Sequence, residues 1–227
     1  MNNIIKSNTR GSLIVISGPS GSGKDSICER LKEYNDNFWV SISCTTRKPR
    51  FGEENGVNYY FKTTEEFEEL IRNDSLLEYA KYNNDYYGTP KALINEQLNN
   101  GVDVILVIEV QGALQIKQKI PEAVFIFIMP PTMKDLVYRL KKRGTETDDK
   151  IIKRFKKAYQ EINEVSKYNF VVVNDDLDKA AKKVSSIMET QKCMVERIEE
   201  VFLNNPEEEI HELLIDNKIF INETTEI

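Results

Sequence analysis

The 227-residue chain has three cysteines, one histidine and one tryptophan, and each scarcity narrows what it can do. Cys28, Cys44 and Cys193 are odd in number, far apart and without Cys-x-x-Cys spacing, and His211 stands alone near the C-terminus. A Cys/His zinc site and any histidine-based triad are therefore excluded, and the expectation is a reducing, cytoplasmic compartment. A basic excess is also missing: 31 Lys+Arg against 37 Asp+Glu give a formal net charge of −6. A general binder of nucleic acid or of anionic membranes needs a broad basic surface, so neither is expected, and an anionic ligand must be met by local basic clusters. The longest apolar run, residues 123–129, is too short to cross a bilayer, and residues 1–10 contain no apolar core of a secretion signal. The remaining composition, 40% hydrophobic and 30% charged, suits one large domain or one with inserted lobes.

The chain is organised around residues 13–27, Leu-Ile-Val-Ile-Ser-Gly-Pro-Ser-Gly-Ser-Gly-Lys-Asp-Ser-Ile, a buried-strand run that breaks into a glycine-rich turn and re-emerges as a helix start. Gly18, Gly21 and Gly23, with Pro19, Ser20 and Ser22 between them, let the backbone turn several N–H groups inward. The result is a concave anion site capped by the positive end of the helix. Lys24 adds a point charge that can reach the β/γ oxygens of a nucleoside triphosphate. The pattern Gly-x4-Gly-Lys ordinarily continues with Ser or Thr, whose hydroxyl ligates Mg²⁺. Here Asp25 follows, and Ser26 comes one place late. Two readings of Asp25 stay open. It is a Mg²⁺ ligand, or a solvated carboxylate that complements the helix N-terminus by ~0.3–1 kcal/mol.

Apolar runs at residues 13–17, 38–43, 104–108, 124–129 and 170–173 read as strands, with helices at 25–34 and around 113–119. Continuous apolar strands separated by helix-length segments imply an α/β core with a parallel sheet covered on both faces. Residues 44–88 break that alternation. Val57, Tyr59 and Phe61 alternate, Thr63 and Glu66 have capping-box spacing, and Phe67, Leu70 and Ile71 share a helix face, which together read as an inserted small α+β lobe. Thr89 and Pro90 are expected to start a helix that Gly101 stops. Thr132 and Asp135 open another to Arg143, and Thr147 caps a third striped by Ile151, Ile152, Phe155, Ala158, Tyr159, Ile162 and Val165. Val184, Ile187, Met188, Val195, Ile198, Val201 and Phe202 stripe a long final helix, after which residues 204–227 form an acidic tail.

Thr46-Arg47-Lys48-Pro49-Arg50 sets two guanidinium groups near Tyr59, Tyr60, Tyr86 and Tyr87, either as a phosphate clamp or as a solvated basic loop. Glu78, in Leu76-Leu77-Glu78-Tyr79-Ala80, is either an acceptor for a guanine N1–H and N2–H₂ edge or an outward strand residue.

Taken together, these segments resemble guanylate kinase. They are Gly-Pro-Ser-Gly-Ser-Gly-Lys, Ser43-Cys44-Thr45-Thr46-Arg47-x-Pro49-Arg50-x-Gly52-Glu53, Asn55-Gly56-x-x-Tyr59, Tyr86-Tyr87-Gly88-Thr89, Gln111-Gly112, Arg143-Gly144-Thr145-Glu146-Thr147 and Val173-Asn174-Asp175-Asp176, in the family's order. The resemblance implies one domain over residues 11–203, with a P-loop core, a GMP-binding lobe at about 44–88 and a helical lid at about 134–163. It implies transfer of the γ-phosphoryl group of Mg·ATP to GMP, and to dGMP, by a monomer or homodimer. The matching positions assign Arg47, Arg50, Tyr59 and Tyr87 to the GMP phosphate, and Ser43, Glu78 and Thr89 to the base. Glu109 joins the GMP set, Asn174 and Asp175 the adenine side, and Arg139, Arg143 and Arg154 act with Lys24 on the transferring group.

No general base is required, because the attacking phosphate oxygen is already anionic. The chain departs from the family where an acid, an apolar residue and Asp usually precede Gln-Gly: here stand Val107, Ile108 and Glu109. With Asp25, this opens two rivals, a degenerate guanylate-kinase-like domain that binds protein partners and a related P-loop kinase with another phosphorylated acceptor. Retention of Lys24, Arg143 and Arg154 argues against the first, and the set Ser43, Glu78 and Thr89 against the second.

Overall fold

A computed structural model of the chain describes residues 5–7, 9–82, 84–142 and 148–201. Strand β1 (Ile5–Ser7) belongs to a small unit formed with the far end of the chain. In the large unit, Thr9–Lys192, β2 (Leu13–Ser17) runs into α1 (Lys24–Leu31) and β3 (Phe38–Val40). Short strands β4 (Cys44–Thr45) and β5 (Tyr60–Phe61) follow, then α2 (Thr64–Arg72) and the pair β6 (Leu76–Tyr82) and β7 (Asp85–Pro90). Alternation resumes with α3 (Lys91–Asn99), β8 (Asp103–Val107), α4 (Val110–Lys119) and β9 (Val124–Met129). Last come α5 (Met133–Lys142), α6 (Asp148–Ile162), β10 (Phe170–Val173) and α7 (Leu177–Gln191).

Five strands form one parallel sheet in the order β10-β9-β2-β8-β3. Successive strand residues point to opposite faces, and both faces are roofed over the central β2, β8 and β9, which is why these three are almost wholly apolar; the edge strand β10 leaves Val171 and Val173 exposed. Ile14, Ile16, Ile105 and Ile126 pack on Ile27 and Leu31 of α1 and Val184 and Met188 of α7. Val15, Val104, Leu106 and Phe125 pack on Ile94 and Leu98 of α3 and Ala113 and Ile116 of α4. The central β2 sends its chain outward past β8 while β9 flanks its other side. The C-terminal end of β2 is therefore a switch point, where α/β sheets place ligands.

The second sheet, order β5-β4-β7-β6, is mixed. Its helix α2 starts at the expected capping box, with Glu66 N–H donating to Thr63 Oγ1 at 3.2 Å and Thr63 N–H to Glu66 Oε2 at 2.8 Å. That helix buries Phe67 against Cys44 and Leu76, with the Phe67 and Tyr86 rings stacked at 5.2 Å. Helices α5 and α6 pack through Leu136, Leu140, Ile151 and Ala158. No helix among the described residues is long and apolar enough to cross a membrane.

Several expectations are corrected. The final helix stops at Gln191. Beyond it β11 (Ile198–Val201) pairs antiparallel with β1, so Ile198 and Val201 belong to a strand; their spacing of three is a helical one, and it is the pairing with a distant strand that overrides it. Thr89 lies within β7 and does not cap α3; Pro90 occupies the cap with φ −66° and ψ 135°. The strand expected over 38–43 ends at Val40. In α6 the stripe is only partly buried: Ile152 and Tyr159 lie one residue further round than Ile151 and Ala158 and are exposed. Tyr60 and Tyr86 pack in the core of the small sheet and take no part in a clamp. Residues 143–147, including the Thr147 cap, and the tail at 204–227 lie outside the described residues.

Because Phe67 is fully buried and stacks on Tyr86, Phe67→Ala should lower stability by about 3–5 kcal/mol in urea unfolding. A loss under ~1 kcal/mol would mean that the small sheet collapses around the missing ring.

Candidate active site

Every strand of the parallel sheet ends at one edge, where the loop after β2, Glu109 after β8 and Asn174 after β10 stand. After β2 the chain must pass against β9. A Cβ at Gly18 (φ +138°) would stand 2.3 Å from the Ile128 carbonyl oxygen, so only glycine allows the passage. The turn closes with Ser22 N–H donating to the Pro19 carbonyl at 3.0 Å, and Gly23 at φ 95° caps α1. Lys24 folds back into the loop, donating from Nζ to the carbonyls of Gly18 (2.7 Å) and Pro19 (3.4 Å). Burial lowers its pKa, while the carboxylates of Glu109 and Asp25 oppose the shift.

The outer side of the loop is tied to two other elements. Asn174, buried at the end of β10, donates from Nδ2 to the Ser22 carbonyl at 2.8 Å. Arg139 of α5 donates to the Ser22 carbonyl at 3.3 Å and the Asn174 carbonyl at 2.8 Å. Arg154 of α6 donates to the Ser20 hydroxyl. Two of the three expected arginines are therefore at the loop, and Arg143 lies outside the described residues. Asp175 is exposed and accepts the N–H of Asp176 at 2.9 Å, while Asp176 caps α7. Asp25 and Ser26 are exposed on the first turn of α1. Asp25 makes no hydrogen bond or ion pair among the described residues, yet its charge is felt at Lys24 and across at Tyr59.

The small sheet carries the second group of predicted residues. Arg47 Nη2 meets Glu53 Oε1 at 2.9 Å, and its guanidinium lies 5.4 Å from the Tyr59 ring centroid and 5.8 Å from that of Phe61. Tyr59 and Tyr87 meet edge to face at 6.1 Å. Arg50 is exposed and joins this group through its backbone N–H, which donates to Glu53 Oε2 at 2.7 Å. The hydrogen bond from Arg47, then that from Arg50 N–H, holds the Glu53 carboxyl below its ordinary range. Ser43 is half-buried just before β4. Glu78 is buried, and so is not an outward strand residue. Thr89 Oγ1 donates to its Oε1 at 2.6 Å, and a Cβ at Gly112 would lie 2.5 Å from its Oε2. Burial raises its pKa, with Thr89 and the charge of Lys119 opposing.

Glu109 follows β8 and N-caps α4. Lys157 of α6 donates to its Oε2 at 2.7 Å and also meets Glu161 Oε1 at 3.4 Å. Burial would raise the Glu109 pKa, but Lys24 and Lys157 together bring it below the ordinary range. Sequence reasoning missed Glu53, Lys157 and Glu161. The spacing of Lys157 and Glu161 is visible as an i,i+4 pair, but their meeting with Glu109 is a tertiary contact without local signal.

The profile of the guanylate kinase family matches residues 10–191. The chain is 51% identical over 216 residues to "Guanylate kinase" of Clostridium perfringens (strain SM101 / Type A), covering 95% of this chain and 100% of that protein. It is 53% identical over 201 residues to "Guanylate kinase" of Caldanaerobacter subterraneus subsp. tengcongensis, covering 88% of this chain and 98% of that one. The crystal structure of guanylate kinase from Anaplasma phagocytophilum superposes with a TM-score of 0.71 at 32% identity, over 91% of this chain and 96% of that one.

Burial, then the charge of Glu109, pushes the Glu161 carboxyl from an ordinary 4.5 up to about 7. The folded state therefore binds this proton more tightly than the unfolded chain. The contribution of Glu161 is fully present below about 4.5 and declines as pH rises to about 7. Glu161→Gln cannot lose that proton, so its Tm relative to the parent should climb between about pH 5 and pH 8. A relative fall would show that the fold needs Glu161 ionised beside Lys157.

Proposed function

The chain belongs to the guanylate kinase family and transfers the γ-phosphoryl group of ATP to GMP, giving ADP and GDP; we propose how its residues divide that work. Gly18, Pro19, Ser20, Gly21, Ser22 and Gly23 take the donor's phosphates on inward N–H groups, and Lys24 bears on the β/γ oxygens. Asn174 and Asp175 border the adenine. Arg47, Arg50, Tyr59 and Tyr87 hold the acceptor phosphate, with Glu53 aiming Arg47. Ser43, Glu78 and Thr89 read the base, and Glu109 completes the GMP set. Arg143 and Arg154 neutralise charge on the transferring group, and Arg139 acts from its hold on the Ser22 and Asn174 carbonyls. The acceptor oxygen is already anionic, so positioning and charge neutralisation supply the catalysis.

The observation that carries the base assignment is the buried Glu78 carboxylate, which has one side-chain hydrogen bond, from Thr89, among the described residues. Guanine offers it N1–H and N2–H₂. Adenine offers a bare N1 acceptor and would leave a buried charge unpaired, a penalty able to give selectivity of roughly 10⁴ or more. A coupled ADP-release assay should show turnover with GMP and dGMP and none with AMP. Comparable kcat/KM for AMP and GMP would defeat the assignment, as would Glu78→Gln with unchanged GMP kinetics.

The residues suit a hard divalent ion. Asp25 is an exposed oxygen donor with no other partner among the described residues, and no cluster of three or more His, Cys, Asp or Glu able to hold a metal occurs there. Mg²⁺ is held in that manner, by one or two carboxylates plus substrate phosphates, and when bound it neutralises phosphate charge. We assign Asp25 to it, in place of the strand-end acid that Val107 has replaced. Without the ion, Asp25 within ~4 Å of triphosphate oxygens would be repelled by about 4 kcal/mol per charge pair at an effective dielectric of 20. Asp25→Ser and Val107→Asp should each impair Mg²⁺-dependent turnover, and the double variant should recover much of it, a coupling well above the ~0.5 kcal/mol of independent sites. Additive losses would return Asp25 to the role of a helix-end charge.

A further inference from the structure

Glu78 sits where the ladder between β6 and β7 is irregular. Leu76 faces Pro90 and Tyr79 faces Gly88, so three steps along β6 match two along β7, and the extra residue falls at Leu77–Glu78. Such a bulge re-aims a side chain but leaves backbone groups without ladder partners, and β6 is also the edge of its sheet. Helix α4 supplies what is missing. Lys119 Nζ donates to the Leu77 carbonyl at 2.7 Å. The Gln115 amide treats Tyr79 as a neighbouring strand would, donating from Nε2 to its carbonyl at 3.0 Å and accepting its N–H on Oε1 at 3.4 Å.

We propose that Gln115 and Lys119 are positioning residues for base selection: they bracket Glu78 by binding the backbone on either side of it. Four residues apart, they share a face of α4. The same helix brings Gly112 so close to the Glu78 carboxylate that a Cβ there would stand 2.5 Å from Oε2. Ala113 and Ile116, both buried in the main core, fix the helix itself. The carboxylate is thus registered against the parallel sheet through α4, and not only through its own small sheet. This inference rests on Glu78 reading guanine, as proposed above.

The test uses Gln115→Leu, which keeps bulk and removes both bonds, and Lys119→Met, with GMP and inosine monophosphate as acceptors. The latter keeps N1–H and lacks the 2-amino group, so it reports how well Glu78 is placed. Each variant should raise KM for GMP about tenfold and cut the GMP-to-inosine-monophosphate ratio of kcat/KM by a similar factor, the usual scale for one lost polar contact. KM for ATP should move less than about twofold. Lys119→Arg, which can still donate, should restore most of the ratio, and Gln115→Glu, which keeps only the acceptor, should fall between. Loss of activity toward both acceptors together with a raised KM for ATP, or an unchanged ratio in a folded variant, would overturn the positioning role. A parent enzyme that fails to prefer GMP would instead overturn the reading of Glu78.

Discussion

A loop that turns its N–H groups toward an anion must turn its carbonyls away from it, and those carbonyls need donors. In this protein the Ser22 carbonyl carries that constraint: it accepts from Asn174 at the end of β10 and from Arg139 on α5, while Lys24 satisfies Gly18 and Pro19 from inside. Three elements distant in sequence are thereby joined at one peptide group. The geometry is tight enough that a Cβ at Gly23 would stand 2.3 Å from the Asn174 amide nitrogen. Lys24, Arg139 and the Asn174 amide thus hold the loop in shape.

The small sheet pairs Arg47 with one acid, Glu53, and buries another, Glu78. Glu53 takes Arg47 on one oxygen and the Arg50 N–H on the other, so the loop cannot splay, and Tyr59 stands beneath the guanidinium. Glu78 is buried elsewhere in the same sheet, on a bulge. Glu109 stands at the N-terminus of α4, already paired with Lys157 of α6. A basic group of the α5–α6 pair is therefore neutralised by the core.

Much of this was legible in the residues. Continuous apolar runs marked the strands, and β9 and β10 have the expected limits, although β10, at the sheet edge, buries only one face. The Thr63–Glu66 capping box forms as its spacing requires. The phosphate loop and the meeting of Arg47 with Tyr59 and Tyr87 were also visible. Other features were not, and for definite reasons. Ile198 and Val201 have helical spacing, and the partner that makes them a strand, Ile5–Ser7, lies at the other end of the chain. The side on which each tyrosine of the small sheet falls depends on register: Tyr86 and Tyr87 are adjacent, so one enters the core and the other faces Arg47. The bulge at Glu78 and the tie between Lys157 and Glu109 arise from tertiary contacts that no local pattern encodes.

The position of β2 in the sheet bears on the life of the chain before it is an enzyme. Leu13 pairs with Val104 and Ile14 with Val124, so both neighbours of the central strand lie some ninety or more residues downstream. At ribosomal speeds of about 5–20 residues per second, the strand that leads into the nucleotide loop waits about 5–20 s for either partner to be made. Through that interval a mostly apolar segment has no sheet to join, and the loop behind it has neither Asn174 nor Arg139 to shape it. The loop thus gains its Arg139 and Asn174 ties only late in synthesis, and until then the first strand depends on whatever shields it.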